Sequence, residues 1–252
     1  MRKVDSEDMA FSFRKQATRR RLILLSIVFS GVACVLWLIF LARERELRTR
    51  TAFVMRVCVD GVREHDGNHL MPAVFRDDRG NMLYSWRFRI IKTQYGFPQN
   101  ADWTAEWDAA SNSEYRSLPP DAIPLCDSGK ATLEPFVFAV TGAGTAFGVA
   151  DPEELDTLEP DVILFVAVSN SNIHWMAPGD WNVDGDLSSV GSSCIIGGQH
   201  AGGFHVAFAD GAVWFLSDKV PFELVRQFFT LDGARRCDRD SLLSQYAIER
   251  WE

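Results

Sequence analysis

The chain lacks several patterns that would identify an enzyme or a metal protein. It has five cysteines in 252 residues, but no CxxC pair and no Cys/His spacing of the kind that binds zinc. It also has no serine nucleophile elbow and no internal repeat. These absences argue against a zinc-binding module, an α/β-hydrolase and a repeat architecture.

Basic residues are scarce outside the first fifty positions. Residues 1–50 carry a net charge of +6, whereas the remaining residues carry −14. A nucleic-acid-binding domain needs Lys and Arg to neutralise phosphates. The acidic main part of the chain therefore predicts no nucleic-acid partner.

Charged residues are absent from a 21-residue run, residues 22–42. As a helix, this run is long enough to span a hydrocarbon core of roughly 30 Å. Seven Lys and Arg residues precede it and four Arg residues follow it, which favours a cytoplasmic N-terminus. A cleaved signal peptide is the alternative, but its apolar region ordinarily has about 7–15 residues. The sequence therefore predicts an uncleaved transmembrane helix.

This helix is expected to continue beyond the membrane, because no proline and only two glycines interrupt residues 22–66. Positions three and four residues apart form one face that suits packing on a sheet. The face consists of Leu47, Thr51, Val54, Met55, Cys58, Val62 and His65. Gly67-Asn68 is expected to end the helix.

Strand-like segments follow the helix. Residues 71–75 and 82–91, joined by a polar turn, predict a hairpin. Residues 136–140 predict a strand that ends in a glycine-rich turn at 142–148. The continuous apolar run 162–168 predicts a buried central strand.

The clearest hairpin signal lies in residues 199–220. Apolar residues alternate with small or polar ones up to Asp210-Gly211, which predicts a two-residue turn. In that register Phe208 lies opposite Val213.

Short helices are expected after the hairpin. Pro221 suits a first helical turn, and Asp232-Gly233 is expected to end that helix. Asp240 is expected to cap a final short helix that runs to Trp251.

Together these elements predict an α+β fold. Its N-terminal transmembrane helix continues into a long helix packed on an antiparallel sheet, followed by a C-terminal hairpin and short helices. The predicted domains are a basic cytoplasmic segment (1–21), the transmembrane helix (22–42), an extracytoplasmic domain (43–233) and a tail (234–252) that forms a short helix.

Four cysteines would lie outside the cytoplasm, where disulfides persist. They are Cys58, Cys126, Cys194 and Cys237. Four cysteines allow three complete pairings, and the sequence does not choose among them.

Several short motifs occur in order along residues 20–233. They are Cys58, Met71-Pro72-Ala73, Ser85-Trp86-Arg87, Trp107-Asp108 with Asn112, Cys126, Trp175-x-x-Pro178-x-Asp180, His200, Asp210-Gly211 and Asp232-Gly233. Their order, and above all the nine residues between His200 and Asp210, resembles a large bacterial family of prepilin-like proteins of unknown function. The resemblance implies a pilin-like architecture displayed from the inner membrane.

The start of the membrane helix departs from that family. Members usually carry the prepilin signal Gly-Phe-Thr-Leu-x-Glu, whereas this chain has Arg19-Arg20-Arg21-Leu22. It therefore has no Gly for the prepilin peptidase to cut after, and no Glu to pair with a neighbouring subunit's N-terminal amine. This departure predicts a divergent, uncleaved member.

One acidic segment matches the first half of a calcium loop. Asp180, Asn182, Asp184 and Asp186 alternate with other residues, and a glycine allows the sharp turn. The bidentate Glu of a complete loop has no counterpart, so an acidic surface turn is the alternative.

The sequence favours a protein without enzymatic activity, because His200 and Asp210 have no third partner that would complete a catalytic set. The leading interpretation is a structural or protein-interaction role in the cell envelope or a secretion-type assembly. The alternative is an extracytoplasmic module that binds a solute, a glycan or calcium, seated in residues 175–191. Four tryptophans could line a carbohydrate or peptide surface, although core packing is the simpler expectation for them. They are Trp103, Trp107, Trp175 and Trp181.

Overall fold

The computed structural model describes residues 6–64, 69–95, 99–118, 125–126, 133–148, 158–184, 195–197 and 199–252. Side chains are described for all of these except residues 6–28, 94–95 and 195. The chain divides into two compact units, residues 1–47 and residues 48–252.

The first unit, as far as it is described, is the N-terminal portion of helix α1 (Ser6–Arg63). Large apolar side chains are exposed at seven consecutive positions of this helix, residues 35–41. Since an α-helix has about 3.6 residues per turn, these positions cover its whole circumference.

The predicted membrane span, residues 22–42, overlaps this exposed run. The side chains of its first seven residues lie outside the description. In the portion of the chain that is described, no helix holds a stretch long and apolar enough to cross a membrane.

In the second unit α1 packs on the domain through the face that its periodicity predicts. Five residues of that face are buried, namely Thr51, Val54, Met55, Cys58 and Val62, and so are their neighbours Ala52 and Val59. Leu47, which belongs to the first unit, is exposed. His65 and Gly67-Asn68 lie outside the described residues, and α1 ends at Arg63.

A short antiparallel ribbon follows α1, formed by β1 (Val74–Arg76) and β2 (Met82–Ser85). The prediction that the second strand continues to residue 91 was wrong, because helix α2 (Trp86–Tyr95) begins there. The Ser85 amide donates to the Met176 carbonyl (3.0 Å), which leads the chain away from the ribbon. A short apolar run does not by itself distinguish a strand from a buried helix.

A loop after α2 contains a 3₁₀ turn (Ala110–Asn112) and the short helix α3 (Ser113–Arg116). The main sheet then begins. Its strands are β3 (Val137–Thr141), β4 (Ile163–Ser169), β5 (Trp181–Asn182), β6 (Ile195–Ile196), β7 (Gly203–Phe208), β8 (Val213–Ser217) and β9 (Ala247–Trp251).

The strand order is β5-β3-β4-β7-β8-β9, and β6 pairs with the end of β4. The predicted strands at 136–140 and 162–168 are confirmed, and every residue of β4 is buried. The sheet is mixed rather than antiparallel, because β5 pairs in parallel with β3. This correction follows from the connection: the chain passes through β4 before it reaches β5, and only such a crossover places two strands in parallel.

Side chains of the sheet alternate between two cores. Val137 and Ala139 of β3 face a core that includes residues of α1 and α2. Phe138 and Val140 face a second core, which includes residues from the helices after β8. The sheet therefore carries helices on both faces.

Three short helices follow β8: α4 (Phe222–Arg226), α5 (Leu231–Arg236) and α6 (Arg239–Leu243). Asp232-Gly233 lies inside α5 instead of ending a helix, because the Thr230 hydroxyl caps α5 by accepting from the Gly233 amide (3.2 Å). Asp238, not Asp240, caps α6.

The tail was predicted to end in a short helix, but it ends in the strand β9. Its side chains alternate between half-buried and exposed positions, the pattern of an edge strand with one covered face. Residues 234–252 are thus part of the second unit.

None of the three complete cysteine pairings is formed, since each requires a disulfide at Cys58 and the thiol of Cys58 is free. Cys58 is fully buried, and this burial raises the pKa of its thiol far above the ordinary value. Cys237 is also a free thiol and donates to the Gln227 side-chain oxygen (2.9 Å). Cys194 lies outside the described residues.

Candidate functional site

The Asp210-Gly211 turn joins β7 and β8, but its loop has three residues rather than the predicted two. The Gly211 amide donates to the Phe208 carbonyl (3.1 Å), and the Ala212 amide donates to the Asp210 carboxylate (3.0 Å). Gly211 has φ of +96°, a conformation that glycine adopts without strain. This is the geometry of a turn followed by a left-handed residue.

The additional loop residue shifts the predicted register by one position. Ala207 pairs with Val213, and Val206 pairs with Trp214. Because a shift of one residue moves side chains to the opposite face, Phe208 and Trp214 lie on the same face, with ring centroids 5.4 Å apart. The predicted pairing of Phe208 with Val213 was wrong for this reason.

Asp210 is bound by an arginine from the tail. Arg239 Nη1 donates to Asp210 Oδ1 (2.9 Å), and Nη2 donates to Oδ2, which makes a bidentate pair. The guanidinium also lies 3.3 Å from the Asp161 carboxylate and 4.7 Å from the centre of the Phe208 ring. Although partial burial lowers the pKa of Arg239, the hydrogen bond and charge of Asp210 raise it above its ordinary value. Asp210 therefore fastens the hairpin to α6.

His200 is bound by helix α1. Its Nε2 atom lies 2.9 Å from the Thr51 hydroxyl. The His200 ring also meets His205 edge-on, with centroids 5.2 Å apart. His200 therefore links the start of the hairpin to α1. Asp210 is bound on the opposite face of the sheet.

His205 is completely buried under α1, between the rings of Phe215 (4.8 Å) and Trp251 (5.5 Å). Neither of its ring nitrogens makes a hydrogen bond of normal geometry to a described residue. Burial lowers the pKa of His205 to about 3, an effect that His200 increases and the Arg48 carbonyl opposes. The imidazole is therefore neutral at physiological pH.

His200 and Asp210 do not form an acid–base pair. They flank the six-residue strand β7. At about 3.3 Å per residue, this strand separates them by about 20 Å. Each has its own partner, so the arrangement fastens two ends of a hairpin and does not bring the two side chains to one reacting atom.

The candidate calcium ligand Asp180 is buried in the interior of the domain. Its Oδ1 atom accepts from Arg87 Nη1 (2.6 Å), Trp86 Nε1 (3.0 Å) and the Ala139 amide (2.9 Å). Burial raises the pKa of Asp180, whereas the charge of Arg87 and these hydrogen bonds lower it. This carboxylate is therefore paired with Arg87 in the interior and is almost completely shielded from solvent.

The other residues of the predicted calcium loop have separate partners. Asn182 accepts from the Asp184 amide (2.8 Å), and Asp184 accepts from the Ala143 amide. Asp186 lies outside the described residues. Within the described ranges, no group of three or more His, Cys, Asp or Glu side chains is arranged to hold a metal ion.

The tryptophans of the alternative ligand loop are packing residues. Trp175 is fully buried, and Trp181 is 4% exposed. The expectation that they form part of the core is confirmed. The segment 175–181 therefore offers no aromatic surface to a ligand.

Sequence reasoning missed three residues of this region: Arg87, Arg239 and His205. Arg87 stands close to Arg89 and Lys92, so the sequence does not distinguish it as a buried charge. Arg239 and His205 carry no local signal either, because Asp210 lies 29 positions from Arg239 and Trp251 belongs to a different strand from His205.

No family model, curated protein or solved structure matches the chain.

Proposed function

We propose that this protein is anchored in the inner membrane by residues 22–42 and presents a pilin-like domain outside the cytoplasm. Its role is structural or in protein–protein interaction, within the cell envelope or a secretion-type assembly. The observation that carries the proposal is the run of apolar side chains at residues 35–41, exposed around the whole helix. Such a surface is stable when lipid or other protein covers it.

The charges around the run support the proposed orientation. Residues 22–42 contain no charge, and the excess of Lys and Arg precedes them. Positive residues are retained on the cytoplasmic side of a membrane helix. The acidic remainder of the chain is then placed outside.

The long helix packed on a sheet supports the pilin-like part of the proposal. The buried face of α1 covers one side of the sheet, as in the architecture that the motif order implies. His200 and Asp210, which carry that resemblance most strongly, hold elements together in the second unit. We infer that the motif is structural and that the protein has no catalytic activity.

Membrane anchoring is tested by placing a charge in the exposed run. Leu36→Arg puts a cation at the centre of the proposed span, which costs about 2.5–3.5 kcal/mol in a membrane helix. We expect the variant to shift from the membrane pellet to the soluble fraction after an alkaline wash, relative to the unchanged chain.

The matched control is Leu47→Arg, which introduces the same cation at another exposed apolar position of α1, outside residues 22–42. It is expected to stay in the pellet. Equal retention of both variants would contradict the assignment of the span, and recovery of the unchanged chain in the soluble fraction would contradict anchoring altogether.

A further inference from the structure

A cleft of about 520 Å³ lies on the second unit, and His200, Asp210 and Asp180 do not line it. Arg76 and Asn81 line it from the β1–β2 ribbon. Glu106, Trp107 and Asp108 line it from the loop before α3. Pro178 lines it from the segment before β5. Three separate segments of the chain therefore contribute to one concave surface.

The ribbon side of the cleft is held in place by its own hydrogen bonds. The Asp77 carboxylate accepts from the amides of Arg79 (2.9 Å) and Asn81 (2.8 Å) and from the Asn81 side chain (2.8 Å). Arg76 donates to the Gly80 carbonyl (2.9 Å). These bonds fix the turn that carries Arg76 and Asn81.

The loop side of the cleft is fixed by a buried asparagine. Asn112 is fully buried, accepts from the Asp102 amide (3.0 Å), and donates to the carbonyls of Asp102 and Glu106 (3.2 Å each). The amide next along the chain, that of Trp107, donates to the Leu83 carbonyl (2.7 Å). Asn112 therefore holds together the two ends of the loop, and the Trp107 amide attaches the loop to β2.

Trp107 is oriented by a second aromatic contact. Its indole stacks on His174, with centroids 5.0 Å apart and planes 23° apart. His174 is in turn held by the Met176 amide, which donates to its Nδ1 atom (3.2 Å). A cleft whose walls are fixed before binding loses little conformational entropy when a ligand enters.

The chemistry of the walls indicates the class of ligand. Arg76 disfavours a ligand that carries only positive charge, and Glu106 with Asp108 disfavours one that carries only negative charge. Donors and acceptors are both present, and Trp107 and the 52%-exposed Met82 supply apolar surface. A neutral molecule with many hydroxyl groups and flat apolar faces matches this combination.

We propose that this cleft binds a neutral saccharide chain. The Trp107 indole lies against the apolar face of one sugar ring. Glu106 and Asp108 accept hydrogen bonds from its hydroxyl groups, and Asn81 and Arg76 donate to them. The proposal goes beyond membrane anchoring and does not depend on it.

The test is a binding measurement on the full chain, purified in a detergent without a sugar headgroup. The chain is first applied to an array of neutral oligosaccharides that includes cellotetraose, maltotetraose and the tetramer of N-acetylglucosamine. The best ligand is then titrated by calorimetry. We expect Glu106→Gln combined with Asp108→Asn to weaken binding about tenfold or more, because two charge-assisted hydrogen bonds are lost.

The matched control is Glu114→Gln, which removes an exposed carboxylate on nearby α3 that does not line the cleft. It is expected to leave the affinity unchanged. Trp107→Ala adds a second readout, provided that its circular dichroism matches the unchanged chain, and it is expected to abolish binding.

Three results would overturn the proposal. The first is an array on which no neutral oligosaccharide binds. The second is a saccharide that binds to the Glu106/Asp108 double variant and to Trp107→Ala as tightly as to the unchanged chain. The third is binding of tetralysine, lost at high salt and in the double variant, without saccharide binding, which would assign the cleft to a basic peptide.

Discussion

At the scale of single residues, the most consequential feature is the buried pair of Arg87 and Asp180. Both side chains are almost completely shielded from solvent, at 0% and 2% exposure. Arg87 also donates to the Gly179 carbonyl (2.6 Å) and lies 4.8 Å from the centre of the Phe138 ring. The pair joins α2 to the segment that enters β5, across the end of the sheet.

We expect Asp180→Asn to destabilise the protein by about 3–5 kcal/mol, because it leaves the Arg87 charge buried without a counter-charge. Urea unfolding of the full chain in detergent measures this change. Asp184→Asn is the control: it removes an exposed charge but keeps an acceptor for the Ala143 amide, so a loss below about 1 kcal/mol is expected. Equal losses in the two variants would refute the structural role of the pair.

The pattern that suggested calcium gave no indication that Asp180 pairs with Arg87. Alternating oxygen-bearing residues are a local feature, visible in seven consecutive positions. The partner of Asp180 lies 93 positions away, and spacing along the chain contains no information about it. Arg87 stands close to Arg89 and Lys92 in the sequence, so its charge gave no indication of a buried partner.

His205 predicts a pH dependence of stability. The unfolded chain binds a proton at this side chain near its ordinary pKa of 6.5, whereas the folded chain does so only near pKa 3. The unfolded state therefore binds more protons between these values, and stability falls as the pH is lowered through this range. The expected slope is about 1.4 kcal/mol per pH unit.

The measurement compares urea unfolding of the unchanged chain and of His205→Phe at several pH values from about 6.5 to about 4. The phenylalanine fits the same aromatic surroundings without titrating, so the pH slope is expected to be smaller by about one proton. Parallel curves for the two chains would show that His205 does not carry the effect.

At the scale of elements, the β7–β8 hairpin is fastened on both sides. Asp210 has two functions, since it accepts from the Ala212 amide within the turn and pairs with Arg239 outside it. Asn preserves the first function and removes the charge needed for the second. The two functions are therefore separable by one substitution.

We expect Asp210→Asn to lower the free energy of unfolding by about 1–2 kcal/mol, because one bidentate, partly buried ion pair is lost while the turn is kept. The same urea experiment measures it. Asp218→Asn removes an exposed carboxylate beyond β8 and is expected to change stability by less than about 0.5 kcal/mol. An unchanged stability in Asp210→Asn would mean that the contact with α6 contributes nothing.

Periodicity and turn residues predicted some of the elements and failed at others. They predicted the buried face of α1, the strands β3 and β4, and the existence of the β7–β8 hairpin. They failed at its register, because Asp210-Gly211 fits both a two-residue turn and the end of a three-residue loop. They failed at α2 and β9 because short segments take their conformation from the layer they cover, here the sheet face and the edge of β8.

At the scale of the whole molecule, the two units differ in how their apolar residues are covered. In the second unit, apolar side chains fill two cores on either side of a sheet. In the described part of the first unit, apolar side chains at residues 35–41 are exposed. The sequence alone shows a run without charge followed by an acidic remainder, because these are properties of composition. It did not predict the cleft at Trp107, whose walls come from segments that only the fold brings together.

The central claim is that a membrane helix places the second unit outside the cytoplasm. It is tested most directly by labelling intact bacterial spheroplasts with a membrane-impermeant maleimide. Ser113→Cys, at an exposed position of α3, is predicted to react without permeabilisation. Ser6→Cys, in the segment predicted to be cytoplasmic, is predicted to react only after lysis, and the unchanged chain gives the background from its own thiols. Labelling of Ser113→Cys only after lysis would contradict the proposed orientation.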